Sequence, residues 1–363
     1  MCKNNKVTIF KLYKNKVGGT EKCVHSLENL INDKYHVEVV SAVDCKEKSP
    51  IKDNSHLLIR RNEVKVIKIN HFVYFLKLFQ FVMDCRSSII ISTDICTSVF
   101  LIIIKFLLFK KVKLICWEHV PYKKNSLIFR ALSRFFYLFS DKIIVLSEQE
   151  KNTYPEYLKN KIKVIYNAVT IADADLFKPK HRYMFPEKIQ FISIGRLSPE
   201  KGFERIIDAC RSYSLKYKKR CVTLNIIGDG PLRKDLEKYV ADNPVINMEV
   251  IFHGTCFDIA RNLSENDIYI SGAFYECLPT SVIEAQMMGL PVISFENKYG
   301  TKEVITNGVN GFLVSNTDEF ICSIDILAQK EVFSKMTQES IINSKRFLPE
   351  LALAQWEGLL NRV

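Results

Sequence analysis

Eleven cysteines are scattered singly through 363 residues, with no C-x-x-C pair and no histidine cluster beside any of them. That spacing provides neither a zinc ligand set nor a disulfide frame, and an odd number of thiols suits a reducing, cytoplasmic setting. A membrane-spanning run is also missing. The most apolar stretch, TSVFLIIIKFLLF at 97–109, has Lys105 inside it and falls short of the roughly 20 apolar residues a span needs. A buried or interfacial helix is expected there. Residues 1–5 are polar and the first apolar run is only VTIF at 7–10, so no secretory leader is expected. Repeats and low-complexity tracts are absent. So is the G-x-G-x-x-G fingerprint with an acid about 20 positions on, which argues against a nicotinamide-dependent oxidoreductase.

Acid is scarce where base is plentiful. Residues 95–140 carry Lys105, Lys110, Lys111, Lys113, Lys123, Lys124, Arg130 and Arg134 against Glu118 alone, within a net charge of +12. The interleaved residues are bulky and apolar, as in SLIFRALSRFFYLF at 126–139. Basic, Phe/Leu-rich helices suit an anionic membrane surface, and a peripheral place on the inner face of the cytoplasmic membrane is expected. The plainer reading is a core helix with solvated lysines on its outer face. No nucleic-acid-binding motif accompanies the patch, so nucleic acid is not an expected partner.

What is present is a globular composition, 47% hydrophobic and 25% charged, in a strand-then-helix pattern. Strand-like runs fall at 6–10, 36–43, 87–92, 113–117, 142–147 and 163–169, then at 189–195, 221–228, 248–254, 267–272, 291–295 and 311–314. Twelve strands separated by helix-length segments predict an α/β chain with parallel, doubly wound sheets, too many strands for one sheet. Two Rossmann-like domains are expected at 1–170 and 189–345. Between them lies a linker at 171–188, where periodicity stops and two prolines appear, and a C-terminal helix at 346–363 can pack back on the first domain. Since open α/β sheets bind ligands at their strands' carboxyl ends, facing domains would form a cleft.

Three junctions carry candidate chemistry. In SIGRLSPEKGFERIIDA (193–209) a strand ends at Gly195, Arg196 follows, and Lys201 precedes a helix opening near Gly202. An arginine fork and a lysine point charge beside a helix N-terminus suit a diphosphate, although a solvent-facing turn would look similar. In IIGDGPLRKDL (226–236), Gly228 and Gly230 let the backbone turn tightly; alone this is weak. In DIYISGAFYECLPTSVIEAQMMG (267–289) the loop amides around Cys277, Leu278, Pro279 and Thr280 would gather at a helix start, with Gly289 closing the helix. Glu276 and Glu284 can each accept a pair of hydroxyls. One for a hexose and one for a ribose, with Arg196 and Lys201 on the diphosphate between, would describe a nucleotide sugar.

These residues resemble glycosyltransferase family 4, whose members have the GT-B fold and are retaining and metal-independent. GRLSPEKG is similar to the family's G-R-x-x-x-x-K-G segment and ECLPTSVIE to its E-x7-E motif, with GDGPLRKDL and EVITNGVNGFLV (303–314) in matching order. The N-terminal half resembles the family more loosely, through Gly18 and Gly19 ahead of the first helix, His119 in CWEHVPY, and Asn167 in VIYNAV. Cys277, where glycine is more usual, and Ala273, where serine is common, depart from the pattern. The resemblance implies that Arg196 and Lys201 bind the diphosphate, Glu276 the transferred sugar and Glu284 the ribose, with His119 close to the donor sugar. It implies a hexosyltransferase of bacterial surface polysaccharide synthesis, using a nucleoside-diphosphate sugar with uridine favoured and a glycan or lipid-linked acceptor. No cofactor or metal is expected, and DAD at 173–175 reads as a chance match to a metal motif. A GT-B sugar-nucleotide epimerase and a non-catalytic sugar-nucleotide-binding subunit remain the alternatives.

Overall fold

In the computed structural model the described residues are 6–14, 19–44, 55–59, 70–171, 187–256, 258–297 and 299–363. Gly18, the DAD triplet and most of the 171–188 linker lie outside them. The chain divides into two compact units, Met1–Ala168 with Pro349–Val363, and Val169–Leu348.

Among the described residues the first unit holds seven strands: β1 (Lys6–Lys14), β2 (His36–Asp44), β3 (His56–Ile59), β4 (Ile89–Ser92), β5 (Lys113–Trp117), β6 (Lys142–Val145) and β7 (Ile162–Val164). They pair in parallel in the order β3-β2-β1-β4-β5-β6-β7. β3 was not expected from the sequence, because four residues are too few to show a two-residue period. The apolar run at 97–109 falls in the helix Ile95–Leu107, whose Val99, Ile102 and Ile104 are fully buried. Asp94 caps it, accepting from the Thr97 amide at 2.9 Å and the Thr97 hydroxyl at 2.6 Å. No described helix is long and apolar enough to cross a membrane.

The next helix, Leu127–Phe136, behaves differently. Of its residues only Ser133 is fully buried, while Leu127 is 74% exposed, and Ile128 and Phe135 are exposed too. The basic stretch is thus a core helix in its first part and an apolar outer face in its second.

The second unit holds β8 (Lys188–Ile194), β9 (Cys221–Ile227), β10 (Met248–Gly254), β11 (Ile268–Ser271), β12 (Val292–Phe295) and β13 (Phe312–Val314), all parallel in the order β10-β9-β8-β11-β12-β13. Phe191, Leu224, Ile226, Ile270 and Ile293 line its core and meet Phe203, Ile206 and Tyr213 of the helix Phe203–Lys216. Alternating strands and helices thus yield two Rossmann-like sheets, as the strand-helix pattern predicts. In each, the order reverses between two neighbours, β1/β4 and β8/β11, and ligands of such sheets settle at that point.

Behind β5 the first unit buries an uncommon amount of polar chemistry. Glu118, just past β5, is fully enclosed and accepts from the hydroxyls of Tyr137 and Ser98, the latter at 3.3 Å. Glu150 accepts from the Tyr122 amide at 2.5 Å. Burial pushes the Glu118 carboxyl up from 4.5 to about 8, partly offset by the Tyr137 hydrogen bond. Burial likewise lifts Glu150 to about 7. A carboxyl whose folded value is raised holds a proton that the unfolded chain has released, so its stabilising contribution falls as pH rises from 4.5 through about 8. From pH 6.5 to 8.5 the melting temperature should therefore fall, by the equivalent of a few kcal/mol at most. Glu118→Gln, which keeps an oxygen for both hydroxyls and has no proton to lose, should flatten that slope in a calorimetric pH series. An unchanged slope would show that Glu118 does not carry the proton.

Candidate functional site

The second unit's carboxyl edge is built around close backbone approach. Gly202 has φ +61°, and a Cβ there would lie 2.2 Å from the Gly272 carbonyl oxygen. Gly228 has φ +133°, with its Cβ position 1.9 Å from the Gly195 carbonyl oxygen. Only hydrogen fits at either place, and both backbones favour glycine. The loops after β8, β9 and β11 are thereby pressed together where the strand order reverses.

Past β8 the chain runs through Gly195 and Arg196, which is exposed, to a 3-10 turn at Pro199–Lys201. The helix starts only after left-handed Gly202. Past β11 it runs through Gly272 and the Phe274–Pro279 loop into the helix Thr280–Met287. The Phe274 amide donates to the Glu200 carbonyl at 2.9 Å, tying the two loops. Lys201 and Glu276 then meet in an ion pair, both side chains partly exposed. Gly195 sits below, its Cβ position 3.7 Å from Lys201 Cδ.

Glu284 lies on the following helix and is buried. The N-terminus of that helix, at Pro279, receives no side-chain cap among the described residues. Cys277 and Leu278 are buried, and the Gly300 amide donates to the Glu276 carbonyl at 2.7 Å, which fixes the loop from the other side. Gly230 packs on Leu197, its Cβ position 2.4 Å from that carbonyl oxygen. The expected turn of Gly289 into left-handed conformation is present, at φ +71°.

Two members of this edge were not picked out from the sequence. Gly272 forms the other half of the Gly202 contact. Tyr269, on β11, donates from its hydroxyl to the Ile194 carbonyl at 3.2 Å and contacts Ser281 Oγ at 2.8 Å. That buried hydroxyl links β8 to the start of the glutamate helix, and burial raises its pKa. A glycine closing a strand in YISG was the available signal for Gly272; Tyr269 reads as an ordinary strand aromatic.

The first unit carries the remaining candidates. Gly19 opens the helix Gly19–Ile31, and a Cβ there would meet nothing within 4 Å. Asn167 is buried, and its side-chain oxygen has no hydrogen-bond partner among the described residues. His119 follows β5 and Glu118. Its Nε2 is buried without a hydrogen bond, and desolvation lowers the imidazole from 6.5 to about 3. The ring is therefore neutral at any physiological pH, a polar contact and a poor proton acceptor. Among the described residues no group of three or more His, Cys, Asp or Glu could hold a metal ion.

Comparison with known proteins places this geometry. Residues 178–346 match the family model described as glycosyl transferases group 1, and residues 17–173 match that of glycosyltransferase family 4. The chain is 25% identical to the amylovoran biosynthesis glycosyltransferase AmsD of Erwinia amylovora, over 95% of this chain and 96% of that one. It is also 25% identical, with the same coverages, to a Campylobacter jejuni α-1,4-N-acetyl-D-galactosaminyltransferase named for a saccharide on PP-undecaprenol. Among solved structures, Anabaena HepE in complex with UDP and glucose superposes with a TM-score of 0.80 at 19% identity, covering 99% of this chain and 100% of that one. With the two family models matched in sequence along the chain and both sheets in Rossmann order, the chain belongs to the GT-B glycosyltransferases of the family 4 type.

Proposed function

We propose that the protein is a retaining hexosyltransferase that uses a nucleoside-diphosphate sugar, with UDP as the nucleotide, in bacterial surface polysaccharide synthesis. The observation that carries this reading is the Lys201–Glu276 pair at the point where the second sheet reverses order. A cation for phosphate and a carboxylate for sugar hydroxyls stand side by side there, as a sugar diphosphate requires. The HepE neighbour, solved with UDP and glucose, supports the choice of nucleotide and sugar class.

In this mechanism the leaving nucleoside diphosphate gathers negative charge as the glycosidic bond breaks. Arg196, Lys201 and the uncapped N-terminus at Pro279 offer positive charge where it develops. Those cations make a metal ion unnecessary. Lys201 must turn from Glu276 toward the phosphate, which frees the carboxylate to accept sugar hydroxyls. Glu284 accepts the ribose hydroxyls. The acceptor hydroxyl attacks from the leaving-group side, and its proton passes to the departing phosphate.

The acceptor is a glycan or lipid-linked saccharide at the cytoplasmic face of the membrane. The undecaprenol-linked substrate in the C. jejuni relative's name and the exposed face of Leu127, Ile128 and Phe135, flanked by Arg130 and Arg134, support it. Helix His71–Asp84 adds a second apolar stripe, since Phe72, Leu76 and Met83 are exposed on one side.

Glu276→Ala and Lys201→Ala should each lower sugar transfer by about 10²-fold or more, with the melting temperature little changed. Full transfer by both variants would sink the reading. Transfer should persist in EDTA; its loss there would reject metal independence. Reversing Lys111, Lys123, Lys124 and Arg134 to glutamate should abolish cosedimentation with vesicles rich in anionic lipid, and unchanged binding would remove the membrane from the partners.

A further inference from the structure

Four side chains from separate segments stack outward from the second unit's core to the loop that carries Glu276. Phe320, on the helix Thr317–Leu327, is fully buried. Phe295, the last residue of β12, lies nearly parallel to it, with ring centroids 5.9 Å apart at 6°. The Arg205 guanidinium sits over the Phe295 ring, 4.0 Å from its centroid, and 5.1 Å from the centroid of Phe274. Arg205 belongs to the first turn of the helix Phe203–Lys216, and Phe274 opens the loop that leads to Pro279.

Phe274 is 51% exposed, so burial alone does not fix its ring. Its amide is tied to the Glu200 carbonyl, and its Cε2 lies 3.4 Å from where a Gly202 Cβ would stand, which lays the ring against the start of that helix. Arg205 is costly where it stands. Its Nε is buried without a hydrogen bond to any described residue, and burial lowers the guanidinium's pKa. Enclosing a polar donor unpaired opposes folding. Two ring faces offset that cost, because the negative face of an aromatic ring attracts a cation. A planar guanidinium can lie flat on one ring while meeting another, which a lysine ammonium does less well.

We propose that Arg205 is a positioning residue for the sugar carboxylate: held on the Phe295 ring, its guanidinium clamps Phe274, and with it the loop in which Glu276 stands two positions on. The kinetic half of this proposal rests on the sugar contact assigned to Glu276 under the proposed function. The clamp itself does not.

Hydrogen exchange read by mass spectrometry on the full chain tests the clamp without a ligand. Arg205→Met, of similar length but uncharged, should speed exchange in the segment 275–278 by about twofold to thirtyfold, the span of a cation–π contact from exposed to desolvated. Peptides from β9 and the helix Thr317–Leu327 should exchange as before, and the melting temperature should not fall, since an unpaired buried donor has been removed. Arg205→Lys should recover part of the protection. Phe274→Leu should match Arg205→Met, with the double variant no faster than either. In transfer assays with the UDP-sugar that the wild-type chain turns over, Arg205→Met should lower turnover by about tenfold, and should have no further effect in a Glu276→Ala background. Unchanged exchange in Arg205→Met would overturn the clamp, and so would exchange that rises equally across the second unit. An equal loss of turnover with and without Glu276 would overturn the positioning role. Full transfer by Glu276→Ala would strike the sugar contact, and with it the kinetic half, while leaving exchange to judge the clamp.

Discussion

Between Gly202 and Gly272 there is room for two hydrogens and nothing more. A Cβ on Gly272 would stand 2.4 Å from the Gly202 carbonyl oxygen and 2.7 Å from Ile206 Cγ1. This approach, repeated between Gly228 and Gly195, brings the chain leaving β8 against the chain leaving β11. The ion pair between Lys201 and Glu276 is a consequence: each is the charged end of a loop that the glycines have already brought close. The Tyr269 hydroxyl secures the same junction from inside the sheet, and the Gly300 amide holds the glutamate loop from outside. Because hydrogen-sized gaps do not deform, the separation of the two loops that carry Lys201 and Glu276 is set by backbone.

The two units treat ionisable groups in opposite ways. In the second, the Lys201 and Glu276 side chains are partly exposed and Arg196 is exposed. In the first, burial strips charge away: Glu118 holds its proton to about 8 and His119 stays neutral down to about 3.

Much of this was legible in the sequence, and what was missed has a physical pattern. Strand and helix alternation specified two parallel sheets, because fully buried strands such as IIIS at 89–92 read as unbroken β-branched runs. Lys201, Glu276 and Glu284 stood out because each falls at or just inside a strand–loop–helix junction, in segments that resemble the family's K-G and E-x7-E motifs. β3 escaped notice because its four residues sit at the sheet's edge, where little packing constrains the sequence. Tyr269 escaped for another reason: it looks like core, and its role depends on a partner 75 positions away. The basic stretch at 95–140 divided in two, since hydrophobicity alone does not say whether a helix faces the sheet or the solvent.

The return of the helix Pro349–Leu360 to the first unit has a consequence for the order in which the protein can be made. The ribosome delivers residues 1–168 first, yet Trp356, whose ring packs against that of Trp117, is among the last to emerge. At about 5–20 residues per second, the earlier unit waits on the order of ten seconds or more for its missing helix. During that interval an apolar indole face lies open, while the later unit can assemble from an uninterrupted segment. The piece translated first is therefore the piece completed last, and a chain halted near residue 348 would leave a finished second unit joined to an unsealed first one.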